Sequence, residues 1–332
     1  MHPFRAGRLH AKLDVMTSRL NRRQLLRLLG ATPFAIACGA QASGLPADDA
    51  RAPVSLPEDV TPVPEAPQAA PVEAPVQEPV PVRAAGEETR LLMAGTDYET
   101  PLYIYTSGRP GKTAFILGGV HGNEPGGWVA ADWVAAHRRP ENGVLIVIPR
   151  ANRVAVGLFE RTTDALADLN RSYPGFSDGR PMERMAAEIV AVLGEFEVDL
   201  VHDMHESWAF YKDRQTNGTA FIGQTVATGG DGAAGLAATI VPRVNATIRA
   251  PHEEFFLRNL AMQQHQNLPR QTTNVPAPGR GTSSLGLNRF VPGVMTLLVE
   301  MGQQQSLDRR VALHVQVLDE ALRELGIGTA QV

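Results

Sequence analysis

The chain has almost no cysteine, no long uninterrupted apolar run and little excess charge. Cys38 is the only cysteine among 332 residues, so no disulfide can form within the chain. The apolar stretch Leu25–Ala40 is interrupted by Arg27 and Pro33, and it is too short and too broken for a transmembrane helix. A formal net charge of −4 gives no sign of a nucleic-acid surface. Hydrophobic residues nevertheless make up 43% of the chain, which is enough to bury a core.

The first segment, residues 1–43, is predicted to be an export signal. Residues 1–45 hold seven basic residues and one acidic residue, and the basic part precedes the apolar stretch. Residues 21–26, Asn-Arg-Arg-Gln-Leu-Leu, resemble a twin-arginine signal, which implies export of a folded protein to the periplasm or cell envelope. Met16 is an alternative start, because the preceding residues add nothing that a signal needs. A disordered basic tail is the alternative interpretation.

The end of this signal allows two kinds of processing. Cys38 stands in Ala-Ile-Ala-Cys-Gly, which resembles a bacterial lipobox, although Ala35 replaces the larger aliphatic residue preferred there. A lipid anchor on Cys38 would attach the protein to a membrane. Cleavage after Ala42, in an A-x-A-like site, would instead release a free exported protein.

Residues 44–86 are predicted to be a disordered linker. Residues 46–83 contain ten of the chain's 25 prolines, mixed with alanine, valine and glutamate. Such a segment lacks a hydrophobic period and favours extended polyproline conformations. It would act as a spacer, either as a stalk that holds the following domain off a membrane or as an inert connection.

Residues 87–328 show alternating strand and helix patterns. Short apolar runs predict strands at Leu102–Tyr105, Ala114–Leu117, Val144–Ile148, Val198–Val201 and Met295–Val299. Helical spacing of apolar residues predicts helices at Gly127–Arg138, around Met182–Leu193 and at Leu307–Leu325. This alternation predicts an α/β fold, a single three-layer domain in which helices cover both faces of a mostly parallel mixed sheet.

Polar residues follow three of these predicted strands, where sites gather in parallel sheets. His121 and Glu124 lie three residues apart after the strand Ala114–Leu117. An imidazole and a carboxylate are suitable ligands for Zn²⁺, and a catalytic zinc takes three protein ligands and leaves a fourth position to water. The spacing alone is weak evidence, because His121 could simply cap a backbone group in a glycine-rich turn. A third ligand would have to come from elsewhere.

Four motifs in order resemble the zinc carboxypeptidase superfamily, most closely its aspartoacylase and succinylglutamate desuccinylase branch. The resemblance covers roughly residues 88–326, and four ordered motifs are far more specific than one. The motifs are HGNE (121–124), DLNRSYPG (168–175), DMHES (203–207) and VEMG (299–302).

The resemblance implies a role for each matching residue. His121, Glu124 and His205 match the ligands of one zinc ion per chain. Asp168 matches a carboxylate that orients a ligand histidine. Asn170 and Arg171 match residues that bind a substrate carboxylate. Arg161 matches the arginine that polarises the scissile carbonyl, and Arg150 and Arg153 are alternatives for that role. Glu300 matches the general base.

The resemblance also implies a function, a zinc-dependent hydrolase that cleaves an amide bond of an N-acyl amino acid or small peptide-like substrate bearing a carboxylate. Metal-activated water would attack the amide while Glu300 accepts the proton. An exported carboxypeptidase or murein-peptide amidase is the alternative enzyme. A non-catalytic binding module on a stalk is the alternative of another class.

Overall fold

A computed structural model describes residues 82–213, 221–258 and 281–332. The predicted export signal, Cys38 and nearly all of the predicted linker lie outside these residues, so their assignments stay predictions. Within the described ranges, no helix combines the length and apolar composition needed to cross a membrane.

The described chain alternates between strands and helices along most of its length, as the sequence predicts. The strands are β1 (Gly86–Leu92), β2 (Thr100–Thr106), β3 (Thr113–Leu117), β4 (Arg138–Pro140), β5 (Val144–Ile148), β6 (Leu200–Ser207), β7 (Thr225–Gly229), β8 (Phe256–Arg258), β9 (Met295–Gly302) and β10 (Thr329–Gln331). The α-helices are α1 (Pro125–His137), α2 (Arg153–Leu158), α3 (Pro181–Glu195), α4 (Ala233–Asn245) and α5 (Leu307–Glu324). Short 3-10 turns lie at 169–171, 211–213, 251–253 and 284–289.

Eight strands form one mixed sheet in the order β1-β2-β5-β3-β6-β9-β7-β8. The four central strands, β5, β3, β6 and β9, run parallel to one another. Every residue of β3 and β5 is buried, which explains why both strands are short continuous apolar runs. The antiparallel strands β1, β2 and β7 extend the sheet on either side.

Helices cover both faces of this sheet. Helix α3 packs on one face through Met182, Met185 and Ile189, which join Phe115 and Val201 in one core cluster. Helices α1, α4 and α5 cover the other face in two further clusters. The predicted three-layer α/β architecture with a mostly parallel sheet is confirmed.

Two predicted strands end later than their apolar runs suggested. The run Val198–Val201 is the entrance to β6, which starts at Leu200 and continues to Ser207. Strand β9 likewise continues past Val299 to Gly302. The polar motifs at these positions therefore lie within paired strands, where a regular ladder fixes the direction of each side chain.

Candidate metal centre

The carboxyl ends of β3, β6 and β9 meet at one edge of the sheet. Strands β6 and β9 are parallel neighbours, and their register places His205 directly opposite Glu300. His121 and Glu124 follow β3 in the turn before α1. Helix α1 begins with Pro125, a residue suited to the first turn, so Glu124 is its N-terminal boundary residue. The sheet topology thus brings the first, third and fourth motifs together.

His121, Glu124 and His205 form a compact buried group. One possible ligand atom from each lies within 4.8 Å of the other two. His121 Nδ1 lies 2.7 Å from Glu124 Oε1, and His205 Nδ1 lies 2.9 Å from Glu124 Oε2. The two Nδ1 atoms are 3.1 Å apart. Two imidazole nitrogens and one carboxylate oxygen form a donor set that fits a catalytic zinc.

Electrostatics within this group favour a charged Glu124. Burial by itself would raise the pKa of the Glu124 carboxyl group, but His121 and His205 hold that pKa far below its usual range. The pKa of His205 is raised well above its ordinary value, because Asp203 and Glu124 outweigh the opposing effect of burial. The carboxylates of this site therefore create a strong preference for positive charge between them.

Each histidine also contacts a carboxylate through its second ring nitrogen. His121 Nε2 lies 3.0 Å from Asp168 Oδ1, as the sequence predicts for Asp168. His205 Nε2 lies 3.1 Å from Asp203 Oδ2, a partner that sequence reasoning missed. Carboxylates in such positions fix the tautomer and orientation of a metal-ligating histidine. The D-x-H spacing in β6 contained the signal, because alternate residues of a strand face the same side.

Asp203 is held in place from the 3-10 turn before β9. Ser284 Oγ donates a hydrogen bond of 2.6 Å to Asp203 Oδ2. The backbone N–H of Ser284 donates to Asn170 Oδ1 at 3.3 Å. A buried hydrogen-bonded chain therefore links the second motif to the His205 side of the site.

The predicted carboxylate-binding pair lies beside this chain. Asn170 is 6% exposed, whereas the Arg171 side chain is exposed to solvent. Despite burial, the pKa of Asp168 is held well below its usual range, first by the hydrogen bond and charge of His121 and then by the positive charges of Arg161 and Arg171. An exposed cation above a buried site is well placed to meet an incoming anion.

Of the three candidate arginines, Arg161 is the one that reaches the metal centre. Its Nη1 lies 3.4 Å from Glu124 Oε1, and its Nη2 lies 3.2 Å from Asp168 Oδ2. Arg150 is bound to Asp132 at 2.6 Å and lies over the Trp128 ring, while Arg153 opens α2 as an exposed residue.

The two candidate bases differ in their surroundings. Burial raises the pKa of Glu300 to about 7 despite the opposing influence of His205, which is a suitable value for general-base catalysis near neutral pH. Glu206 instead points to the other side of β6, where both carboxylate oxygens lie 2.6 Å from Arg310 Nη1. Glu206 is therefore committed to an ion pair.

Solved structures of other proteins share the fold of this chain. The apo structure of the cell shape determinant protein Csd4 from Helicobacter pylori matches with a TM-score of 0.56 and 19% identity, over 67% of this chain and 52% of that chain. The ectoine utilization protein EutE (DoeB) from Ruegeria pomeroyi matches with a TM-score of 0.51 and 21% identity, over 76% and 72% of the two chains. At these identities the likeness establishes the fold.

Part of the sequence also matches a known family. Residues 110–211 match the model of the succinylglutamate desuccinylase/aspartoacylase catalytic domain. A curated relative, N-alpha-acetyl-L-2,4-diaminobutyric acid deacetylase from Halomonas elongata, is 36% identical over 98 residues. The predicted resemblance is confirmed for residues 110–211, which contain three of the four motifs.

The matched regions cover only part of the relatives. The alignment with the deacetylase spans 29% of this chain and 28% of that protein. Activity, substrate and metal identity are therefore questions for the site itself.

Proposed function

We propose that this protein is a zinc-dependent hydrolase that cleaves the amide bond of a small N-acyl amino acid bearing a carboxylate. The observation that carries the proposal is the convergence of His121, Glu124 and His205 within 4.8 Å, on the strand edge that also holds Glu300. The deacetylase relative supports deacylation as the reaction class.

His121, Glu124 and His205 would hold the ion. When bound, zinc lowers the pKa of a coordinated water towards about 7 and polarises the scissile carbonyl. Glu300 accepts the proton as the water attacks the carbonyl carbon, and it returns that proton to the departing amide nitrogen. Its buried position on the paired strand β9 holds the carboxylate at a fixed distance from His205.

The cationic side chains have separate tasks in this proposal. Arg161, beside Glu124 and Asp168, donates to the carbonyl oxygen on which negative charge develops. Arg171 binds the substrate carboxylate through the planar fork of its guanidinium, and Asn170 supports it from the buried side. Both arginines are exposed on their outer side, where a substrate arrives.

Carboxypeptidase action is the second candidate, supported by the fold. Structures of Csd4, described as a D,L-carboxypeptidase, contain a tripeptide in one case and mDAP in another. Both share the fold with this chain at a TM-score of 0.54. An exported enzyme acting on short peptides with D- or L-termini would fit this alternative.

A substrate panel tests the proposal and separates the candidates. N-acyl amino acids and short peptides with D- or L-termini are assayed with the zinc-loaded protein, each beside an analogue whose carboxylate is amide-capped. We expect turnover of the acyl amino acids and a strong preference for the free carboxylate. Arg171→Ala should raise KM for the carboxylate forms by the equivalent of about 1.5–3 kcal/mol, the scale of a hydrogen bond to a charged group.

The capped analogues are the internal control for the arginine. They lack the anion, so Arg171→Ala should leave their turnover unchanged. Equal turnover of capped and uncapped substrates by the unmodified protein would exclude the carboxylate requirement. Turnover of peptides alone would assign the protein to the carboxypeptidase alternative, and zinc binding without any turnover would favour a binding module.

A further inference from the structure

Glu206 is a buried charged residue for which the proposed chemistry has no use. Its side chain is 0% exposed, and that of its partner Arg310 on α5 is 11% exposed. The Arg310 Nη1 atom lies 2.6 Å from each of the two carboxylate oxygens. Burying such a pair costs so much desolvation that an ion pair of this kind is weak evidence for stabilisation of the fold. Its position therefore needs another explanation.

The main chain of Glu206 contacts the metal site directly. Its backbone N–H donates a hydrogen bond of 3.0 Å to Glu124 Oε2, on the same carboxylate that contacts His121 and His205. A displacement of this part of β6 would change the direction of the Glu124 carboxylate. The peptide group of Glu206 is thus one of the supports of a predicted ligand.

The side chain of Glu206 also contacts the chain segment that carries the predicted ligand Glu124. Its carboxylate accepts a hydrogen bond from the backbone N–H of Gly126, two residues after Glu124. The contact requires glycine, because a Cβ at position 126 would lie 2.1 Å from Glu206 Oε1 and 3.0 Å from Arg310 Cβ. The first turn of α1 therefore packs directly against the Glu206–Arg310 pair.

A further contact ties this segment to the strand of the proposed base. Gln303, immediately after β9, donates from Nε2 to the carbonyl oxygen of Asn123 at 2.8 Å. The same Nε2 lies 3.4 Å from Glu206 Oε2. Residues 123–126 are thus fixed on either side of Glu124, with Glu206 taking part in each set of contacts.

We infer that Glu206 and Arg310 are positioning residues that orient the ligand Glu124, so that loss of either side chain weakens zinc binding by the folded protein. This inference rests on the proposed zinc site. The pair acts through two hydrogen-bond donors, the Glu206 peptide N–H and the Gly126 N–H. It also holds the position of β6 relative to α1. Neither side chain takes part in the reaction itself.

The chain offers a matched control for this inference. Arg138, at the end of α1, makes a two-point ion pair with Asp319 of α5 at 3.0 and 2.7 Å. It joins α5 to the residue that ends α1, whereas the Glu206 pair joins α5 to β6, and it lies at the end of α1 remote from Glu124. If an ion pair merely fastened α5 to its neighbours, its loss should affect zinc binding equally at both places.

The experiment measures zinc affinity and unfolding separately on the full chain. Metal-free protein is titrated with zinc against a chelator, and urea unfolding is followed without metal. Glu206→Gln, which keeps the size of the side chain and removes its charge, should raise the zinc dissociation constant about 10- to 100-fold. Asp319→Asn should leave the zinc dissociation constant unchanged, whatever it does to unfolding.

Arg310→Lys provides a second, independent variant. Lysine keeps the positive charge, and the present ion pair is made through the single nitrogen Nη1, so Arg310→Lys should weaken zinc binding less than Glu206→Gln does. It also keeps the test available if the glutamine variant fails to fold. Zinc affinity unchanged in both variants would overturn the positioning role while leaving the proposed zinc site intact. Absence of zinc binding by the unmodified protein would overturn both.

Discussion

His202 and His205 lie three residues apart on β6, and both are almost completely buried, at 0% and 1% exposure. His205 faces the metal centre, with Glu124 at one ring nitrogen and Asp203 at the other. His202 faces α5, and neither of its ring nitrogens has a hydrogen-bond partner within the described part of the chain. His202 and His205 are thus the same kind of residue, but the two faces of β6 place them in opposite electrostatic environments.

The pKa values of the two histidines show the consequence. Burial lowers the pKa of His202 to about 4, because the charge of Asp203 compensates only in part for the lost hydration of a charged ring. The same burial is outweighed at His205 by Asp203 and Glu124, so that its pKa is raised well above the usual value. The comparison teaches that burial does not identify a ligand histidine, whereas the carboxylates around the ring do.

The largest expected effect is loss of the metal. His205→Ala should abolish stoichiometric zinc binding, because two remaining ligands rarely hold a catalytic zinc, and His202→Ala should retain it. Both changes remove a buried imidazole from the same strand, β6. Zinc content measured on the purified variants, together with urea unfolding of each, separates loss of a ligand from loss of packing. Zinc retained by His205→Ala and lost by His202→Ala would reverse the assignment of the two faces.

The next effect concerns catalysis on the His205 face. Glu300→Gln should keep the zinc but lower kcat by about 10²- to 10⁴-fold, the usual loss when general acid–base help is removed. The amide keeps the size and burial of the side chain, so the strand pairing opposite His205 should survive. Steady-state kinetics at saturating zinc measure the effect.

Glu206 provides the contrast for this prediction, since it belongs to the His202 face. Glu206→Gln, with zinc fully bound, should lose much less kcat than Glu300→Gln does. Normal turnover by Glu300→Gln, or a larger loss in Glu206→Gln than in Glu300→Gln at full zinc occupancy, would move the proton-transfer role to Glu206.

The smallest expected effect tests whether the nearby carboxylates cause the difference between the His205 face and the His202 face of β6. Asp203→Asn should weaken zinc binding about 10- to 100-fold, the usual cost of removing a partner of a ligating histidine. Asp132→Asn is the control, because Asp132, on the outer part of α1, forms an ion pair with Arg150. Chelator competition measures both dissociation constants. An unaltered zinc affinity in Asp203→Asn would mean that the contact with His205 does not orient the ring.

Local sequence determined the parts of the fold whose apolar pattern is strong. The run Val144–Ile148 predicted β5 with its observed bounds, because all five of its residues are buried. Helix α5 was predicted to within one residue, since its apolar stripe is regular and the Ser306 side chain caps its first turn. Four short motifs were enough to indicate a family resemblance, which holds for residues 110–211, and the clustered residues His121, Glu124 and His205.

The elements that sequence reasoning missed lack such a pattern. Strand β1 (GEETRLL) is mostly exposed, so its pairing with β2 left no apolar run to detect. Helix α4 (AAGLAATIVPRVN) contains Gly235 and Pro242, both poor helix formers, and it persists because its apolar face packs in the core. In both cases a tertiary contact supplies the stabilisation that local preference does not.

Tertiary structure decided several of the polar contacts that the motifs did not predict. Asp203 faces His205 and Glu206 faces Arg310 because consecutive strand residues point to opposite faces, and the helices packed there present different partners. Arg161, and not Arg150, reaches Glu124, a choice that motif spacing left open. The sequence thus determined the kinds of ligand and their order along the chain, whereas the strand register of β6 and β9 and the packing of α5 determined their partners.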